Sequence, residues 1–371
     1  MLELYSDNLN DHLPKIGEAE LSDDEVLAEI TYLKNKLQDE LVILGHHYQQ
    51  DDIIRFADIT GDSLALAKEA QKLRKKHIIF CGVHFMAETA DMLISPDQFV
   101  MLPDLNAGCS MADMAQVNDI EVAWNFIQSA MNVEERIIPI TYINCAATLK
   151  AFVGDHGGSI CTSSNAKKII TWGLSQGEKL FFFPDQHLGR NTCFDLGIPL
   201  EQMVIYNPKL TNGGLTVEQV RSAKVILWYG YCSVHQGFNK KQIDDLRVNR
   251  PQAKIIVHPE CSFDVVQNAD LNGSTAFIID HIANAPEGSE FAVGTEINLV
   301  NRIAEKFKHQ NKKIYSLSNY QCLCTTMYRV RPRWLLNTLR AIEANDPINV
   351  IRVPNKIKKS ALTALNRMLT I

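Results

Sequence analysis

From residue 22 onward, short continuously apolar runs alternate with amphipathic stretches. The runs are ELVILGHHY (40–48), HIIFCGVHFM (77–86), QFVMLPD (98–104), RIIPITYIN (136–144), SICTSSNA (159–166), KLFFFPDQ (179–186), KVILWYG (224–230), KIIVHPE (254–260), EFAVGTE (290–296) and KKIYSLS (312–318). Each is short, with an apolar core of the length of a strand rather than a helix. Most are apolar throughout rather than alternating, as strands buried on both faces are. Helices are predicted between them. One spans 22–40, where Ser22 and Glu25 form a capping box and Ile30, Leu33 and Leu37 fall at helical spacing. Others are 62–75 and 217–223, and a last helix at about 355–369 turns Ile357, Leu362, Leu365 and Leu369 to one side, predicted to pack back on the body. This βαβα rhythm predicts an α/β protein with parallel sheets.

The polar positions carry a second pattern. The apolar runs end in residues able to do chemistry: His46, Tyr48, Glu88, Asp104, Tyr142, Asn144, Ser163, Asp185, His235, His258, Glu260, Thr295 and Glu296. In α/β sheets, ligands bind beyond the carboxyl ends of the strands. One polar residue at a strand end is ordinarily a turn or a cap. A succession of them reads as the lining of a site.

Composition changes this picture little. At 371 residues, 46% hydrophobic and 22% charged, the chain is foldable and long enough for two or three domains. A net charge of −6 argues against a general nucleic-acid footprint. The C-terminal end is the exception, with Arg331, Arg333, Arg340, Arg352, Lys356, Lys358, Lys359 and Arg367 against Glu343 and Asp346, which reads as a solvated basic face. The N-terminus is rich in Asp and Glu and lacks a signal-peptide layout. No apolar run approaches the roughly 18–20 residues of a membrane span. The expectation is a cytoplasmic chain without membrane or nucleic-acid partners. Nine cysteines in such a chain point to metal or catalysis rather than disulfides.

One cysteine raises a specific question. In LPDLNAGCSMADMA (102–115), Cys109 sits alone on a Gly-containing turn after a strand. Equivalent places exist in ILWYGYC, which ends at Cys232, and IYSLSNYQCLC, where Cys322 and Cys324 compete. Each cysteine closes a block that opens with a strand ending in His or Tyr/Asn: ILGHHY, ITYIN and IIVHPE. The layout predicts a threefold internal repeat of similar α/β units with short parallel sheets, whose strand ends meet at one central point. The boundaries are 1–117, 118–240 and 241–330, followed by a C-terminal helical segment at 331–371. Three strand ends then bring three thiolates to one point. A structural zinc site takes four protein ligands, and an iron–sulfur cluster is usually held by four cysteines. Three leave one metal position open to act as a Lewis acid. Cys81, Cys145, Cys161, Cys193 and Cys261 read as small buried hydrophobes.

The motifs LGHHYQ (44–49), GDSLALAK (61–68), GVHFMAETA (82–90), LPDLNAGCSMADMA (102–115), TYINCAATLKA (141–151), CTSSNA (161–166), FPDQHLG (183–189), GYCSVH (230–235), HPEC (258–261), GST (273–275), GTE (294–296) and CLCTTM (322–327) make the chain resemble the quinolinate synthase family over about residues 20–368. The resemblance implies three α/β/α domains in pseudo-threefold arrangement around a 4Fe–4S cluster held by three cysteines. These match Cys109, Cys232 and Cys324, the last through its Cys-Thr-Thr-Met327 spacing. The implied reaction condenses iminoaspartate with dihydroxyacetone phosphate, losing phosphate and water to form quinolinate for NAD biosynthesis. The iminoaspartate would come from an aspartate-oxidising enzyme. By the same resemblance, His46, Ser63, Tyr142, Asn144, Ser163, His258, Ser274 and Thr275 bind substrate. Tyr48, Tyr142 and Glu260 are the acid–base candidates. His235 joins the catalytic set and is expected to contact substrate or cluster sulfur. His47 reads as structural, Glu88 and Glu296 stay outside the catalytic set, and His187 has no assigned role. The expected oligomeric state is a monomer or homodimer.

Two rival readings remain at this stage. A non-catalytic iron–sulfur sensor or electron carrier would favour a fully protected cluster and has no use for the His, Tyr and Glu strand ends. A zinc hydrolase built on Cys232 and His235 would be unusually rich in thiolate for catalytic zinc.

Overall fold

The computed structural model describes residues 21–371, so the first twenty residues of the predicted 1–117 unit, including the acidic N-terminus, lie outside the described residues. The first unit holds β1 (Leu41–His46), β2 (Ile59–Gly61), β3 (His77–Cys81) and β4 (Phe99–Met101). The second holds β5 (Ile137–Tyr142), β6 (Ser159–Cys161), β7 (Lys179–Phe183), β8 (Met203–Tyr206) and β9 (Val225–Trp228). The third holds β10 (Lys254–Val257), β11 (Leu271–Asn272), β12 (Glu290–Gly294) and β13 (Lys313–Ser316), and β14 (Val350–Ile351) follows.

The three sheets share one topology. Their orders are β2-β1-β3-β4, β6-β5-β7-β9 and β11-β10-β12-β13, with β14 added outside β4 and β8 outside β9. Every pairing is parallel except β14 with β4. In each unit the chain starts on an inner strand, steps to one side, then returns and crosses to the other. That reversal is a topological switch point, where open α/β sheets place their ligands. The repeated order is the structural counterpart of the weak repeat in the sequence.

The continuous apolar runs are explained by two-sided burial. Along β1, Val42 and Leu44 enter one core with Ile78, Phe80 and Val100, while Leu41 and Ile43 enter another with Ile79, Cys81 and Met101. Alternate side chains point to opposite faces, and helices cover both. The third sheet repeats this, with Ile255 and Val257 on one face and Ile256, Phe291 and Val293 on the other. The helix Asp23–Lys36 has the predicted Ser22–Glu25 capping box and buries Val26, Ile30 and Leu33.

The C-terminal segment packs differently from its apolar pattern. The helix Asn355–Thr370 buries Ala361, Ala364, Leu365 and Met368, while Ile357, Leu362 and Leu369 are only half-buried. Small residues face inward because the helix lies almost against the helix Ala147–Asp155: a Cβ on Gly154 would sit 1.9 Å from the Ser360 carbonyl oxygen. Most basic residues of this end are exposed, as a solvated face requires, Lys356 and Lys359 among them, but several also pair with the body. Arg352 Nη1 lies 3.0 Å from Asp91 Oδ1, Arg340 forks onto Glu29, and Arg367 donates to the Gly158 carbonyl and lies over Trp172. Among the described residues, no helix is long and apolar enough to cross a membrane.

Candidate active site

The loops following the first strands carry a repeated device. After β1, the Tyr48 amide donates to His46 Nδ1 at 3.1 Å; after β10, the Glu260 amide donates to His258 Nδ1 at 3.3 Å. Each bond makes Nδ1 the acceptor and leaves Nε2 as the ring's N–H. Both rings are buried, and burial lowers each pKa from 6.5 to about 3. They are therefore neutral donors at ordinary pH. The His235 ring stacks on His258 with centroids 4.6 Å apart.

A continuous buried hydrogen-bond chain joins the three units. Tyr142 Oη donates to Glu260 Oε1 at 2.6 Å. The other oxygen, Oε2, lies 2.9 Å from His235 Nδ1. His235 Nε2 is 3.2 Å from Thr295 Oγ1, which is 2.9 Å from Tyr48 Oη; Tyr48 Oη also meets Thr275 Oγ1 at 3.2 Å. Burial pushes both tyrosines well above 10, and the Glu260 charge adds to this, so each is a neutral phenol. Burial alone would also raise Glu260. The His235 and His258 rings and the hydrogen bonds from His235 and Tyr142 outweigh it and bring Glu260 to about 2. The short Tyr142 bond is the charge-assisted kind such a carboxylate accepts.

Twelve of the expected residues line one cavity with this chain: His46, Tyr48, Ser63, Cys109, Tyr142, Asn144, Ser163, Cys232, His258, Glu260, Thr275 and Cys324. Ser63 and Ser163 each sit two residues beyond the second strand of their unit. Ser274 occupies the same place in the third, but its Oγ accepts from the Phe277 amide as a helix cap, and it is absent from the lining. His235 stands behind the wall, fully buried, stacked on His258 and hydrogen-bonded to Glu260 and Thr295. Asn144 Oδ1 is buried without a hydrogen-bond partner. Leu64, Val83, Phe85, Met86, Met111 and Ile143 add an apolar wall that strand-end reasoning does not find. Thr295, the joint between Tyr48 and His235, is a strand-end residue of GTE whose role became visible only in three dimensions.

The three thiols come one from each unit, Cys109 after β4, Cys232 after β9 and Cys324 after β13. Cys322 instead packs in the third unit's core, away from the cavity. The glycine before Cys109 is not there for a left-handed turn: Gly108 has no positive φ, and an added Cβ would meet only Asp113 Oδ2 at 3.9 Å. Burial raises the thiol pKa at Cys109 to about 12, and it raises Cys232 and Cys324 too. The three sulfurs are not a compact single-ion set; among the described residues only Cys232, His235 and Glu260 place ligand atoms within 4.8 Å of one another. In that set both ring nitrogens and both carboxylate oxygens already have partners. Sulfurs on one zinc would lie roughly 4 Å apart, given Zn–S bonds of about 2.3 Å. Soft thiols spread around a shared cavity suit a polynuclear cluster better.

A pseudo-threefold α/β protein with a buried Tyr–Glu–His–Thr–Tyr chain beside three convergent thiols has the equipment of an enzyme, and comparison with known proteins identifies which kind. The sequence model of the quinolinate synthetase A protein family matches residues 28–370. Curated quinolinate synthases include that of Anoxybacillus flavithermus, 52% identical over 350 residues with 94% of each chain covered. That of Bacillus subtilis is 50% identical over 364 residues, covering 98% of this chain and 97% of its own. The chain belongs to the quinolinate synthase family, a family of enzymes.

Proposed function

We propose that the chain condenses iminoaspartate with dihydroxyacetone phosphate to give quinolinate, phosphate and water, a reaction without net electron transfer. The observation that carries this reading is the unbroken Tyr142–Glu260–His235–Thr295–Tyr48 chain, which lies beside three thiols and two neutral histidine donors. Cys109, Cys232 and Cys324 would hold a 4Fe–4S cluster. With only three protein ligands, such a cluster supplies a Lewis acid at its open iron when bound.

The protein's own groups have distinct tasks. His46 and His258 present Nε2–H donors, and Ser63, Ser163 and Thr275 present hydroxyls, for the carboxylates and the phosphate. Neutral donors suit anions here because they add no charge that burial would penalise. Asn144 Oδ1 offers an acceptor for the substrate amine or hydroxyl. Glu260, ionised, takes a proton and passes it along the chain through His235. Tyr48, a neutral phenol, donates a proton to a leaving oxygen, while Tyr142, whose own proton is held by Glu260, exchanges protons with that carboxylate. The apolar wall keeps water away from the enamine and imine chemistry. The setting is cytoplasmic, with iminoaspartate supplied by an aspartate-oxidising enzyme.

The test is turnover by protein purified and reconstituted without oxygen, with quinolinate as the readout. Wild-type protein is expected to form it, and Glu260→Gln to lose at least about 100-fold in kcat, the scale of a lost general base. No quinolinate from the wild type, or full activity in Glu260→Gln, would refute the reading.

A further inference from the structure

We infer that Glu88, Asn191 and Arg302 are positioning residues that close a directed ring around the site. Each reaches from the helix after the third strand of one unit to the loop after the first strand of the next. The ring runs from unit one to two, two to three and three to one. The helices are His84–Leu93, Gln186–Asp195 and Ile297–Phe307, and in each the reaching residue lies in the second turn.

Arg302 is the most fully engaged. Its Nε donates to Asp51 Oδ1 at 2.7 Å, Nη1 to the His47 carbonyl at 2.8 Å and Nη2 to the Gln49 carbonyl. One turn earlier, Asn298 Nδ2 meets the intervening Tyr48 carbonyl at 3.4 Å. Three successive carbonyls around Tyr48 are thus held by the third unit, which also meets the Tyr48 hydroxyl through Thr275 and Thr295. Asn191 is fully buried and divides its two N–H bonds between the Pro259 and Cys261 carbonyls, both at 2.9 Å, which bracket Glu260. Glu88 Oε2 accepts from the Ala147 amide at 2.9 Å. Ala147 begins a helix whose N-cap, Ala146, has no side-chain acceptor, so the first unit caps the helix behind Asn144. Buried Lys150 fixes the same turn by donating to the Cys145 carbonyl at 2.5 Å.

All three anchors grip main chain and leave the site side chains free. Because Asn144, Glu260 and Tyr48 come from three different units, their mutual placement depends on contacts between units. A slip of 1 Å can cost about 100-fold in rate. The ring therefore sets catalytic geometry, and it rests on the reading of Tyr48 and Glu260 given above.

The experiment uses cluster-loaded Arg302→Ala and Asn191→Ala, with Arg247→Ala as the control, since Arg247 bonds only within the third unit, to Asp270 and the Asn268 carbonyl. Both test variants are expected to lose about 10–100-fold in kcat with little change in KM and with iron content near wild type, while the unpaired carbonyls lower the melting temperature. Ethylguanidinium should restore part of the Arg302→Ala rate where ethylammonium does not, because only the planar fork spans three acceptors. Wild-type kcat in both variants overturns the inference. So does a loss that tracks lost iron and resists guanidinium. If the wild type makes no quinolinate, the activity reading has failed instead. Amide exchange then judges the ring alone: residues 47–51 should exchange faster in Arg302→Ala while β3 does not, and unchanged exchange at 47–51 overturns it.

Discussion

His46 and His258 are neutral by construction, each with Nδ1 occupied by an amide two residues on and the ring buried. Burial holds both pKa values near 3, whereas in the unfolded chain they titrate near 6.5. Below pH 6.5 the unfolded state therefore binds more protons. The stability these rings contribute is complete at neutral pH and is lost as pH falls from about 6.5 towards 3. At pH 5 the loss is about 2 kcal/mol for each ring. Urea unfolding between pH 7 and 5 should show this slope, and His46→Gln should flatten it by about one proton; an unchanged slope would mean His46 is not held neutral. At this scale the sequence was legible where a side chain ends a strand or directly follows it, as at His46, Tyr142 and His258. It was not legible where the backbone decides direction. Ser274 follows the repeat yet turns to cap its own helix, and His235 acts from behind Glu260.

Among the elements, the ten apolar runs all contain strands, because two-sided burial demands unbroken apolar sequence. The four strands the pattern does not reveal, β2, β8, β11 and β14, are all at sheet edges and only two to four residues long. An edge strand needs less apolar sequence, so its signal merges with the adjoining turn. The last helix teaches a related point. Its inward face is set by how closely the backbones approach, which favours Ala361 and Ala364 over leucines. Gly154→Ala tests that approach. In an isolated helix the change would stabilise by about 1 kcal/mol. Here the new Cβ meets the Ser360 carbonyl carbon at 2.8 Å as well as its oxygen, so the overpacking cost of about 1–3 kcal/mol or more should win. The urea midpoint is expected to fall; a rise would show that the two helices are not in close contact.

Across the whole molecule, one topology is used three times and the chain's end binds the copies together. β14 extends the first sheet, while the final helix lies on the second unit. Asp91, buried in the first unit, receives the Val353 amide at 2.9 Å and Arg352 Nη1 at 3.0 Å. Asp91→Ala would leave the buried Val353 amide without its acceptor, at a cost of about 1–3 kcal/mol, while the half-exposed Arg352 turns to water. Limited proteolysis should then cleave near residue 352, and resistance equal to wild type would contradict the anchoring role. The threefold layout was legible because each unit closes on a cysteine after its fourth repeated strand. The contacts between units were not, since Glu88, Asn191 and Arg302 sit on helices and bond to main chain. The claim on which the whole account turns is that three units deliver one thiol each to a common cluster. The most direct measurement is iron and acid-labile sulfide per chain in protein purified without oxygen, for wild type and for Cys109→Ser, Cys232→Ser, Cys324→Ser and Cys322→Ser. About four of each, with a broad brown absorption that air bleaches, is expected in the wild type and in Cys322→Ser, and loss in the other three. Zinc in place of iron, or full iron retention in any of those three, would contradict it.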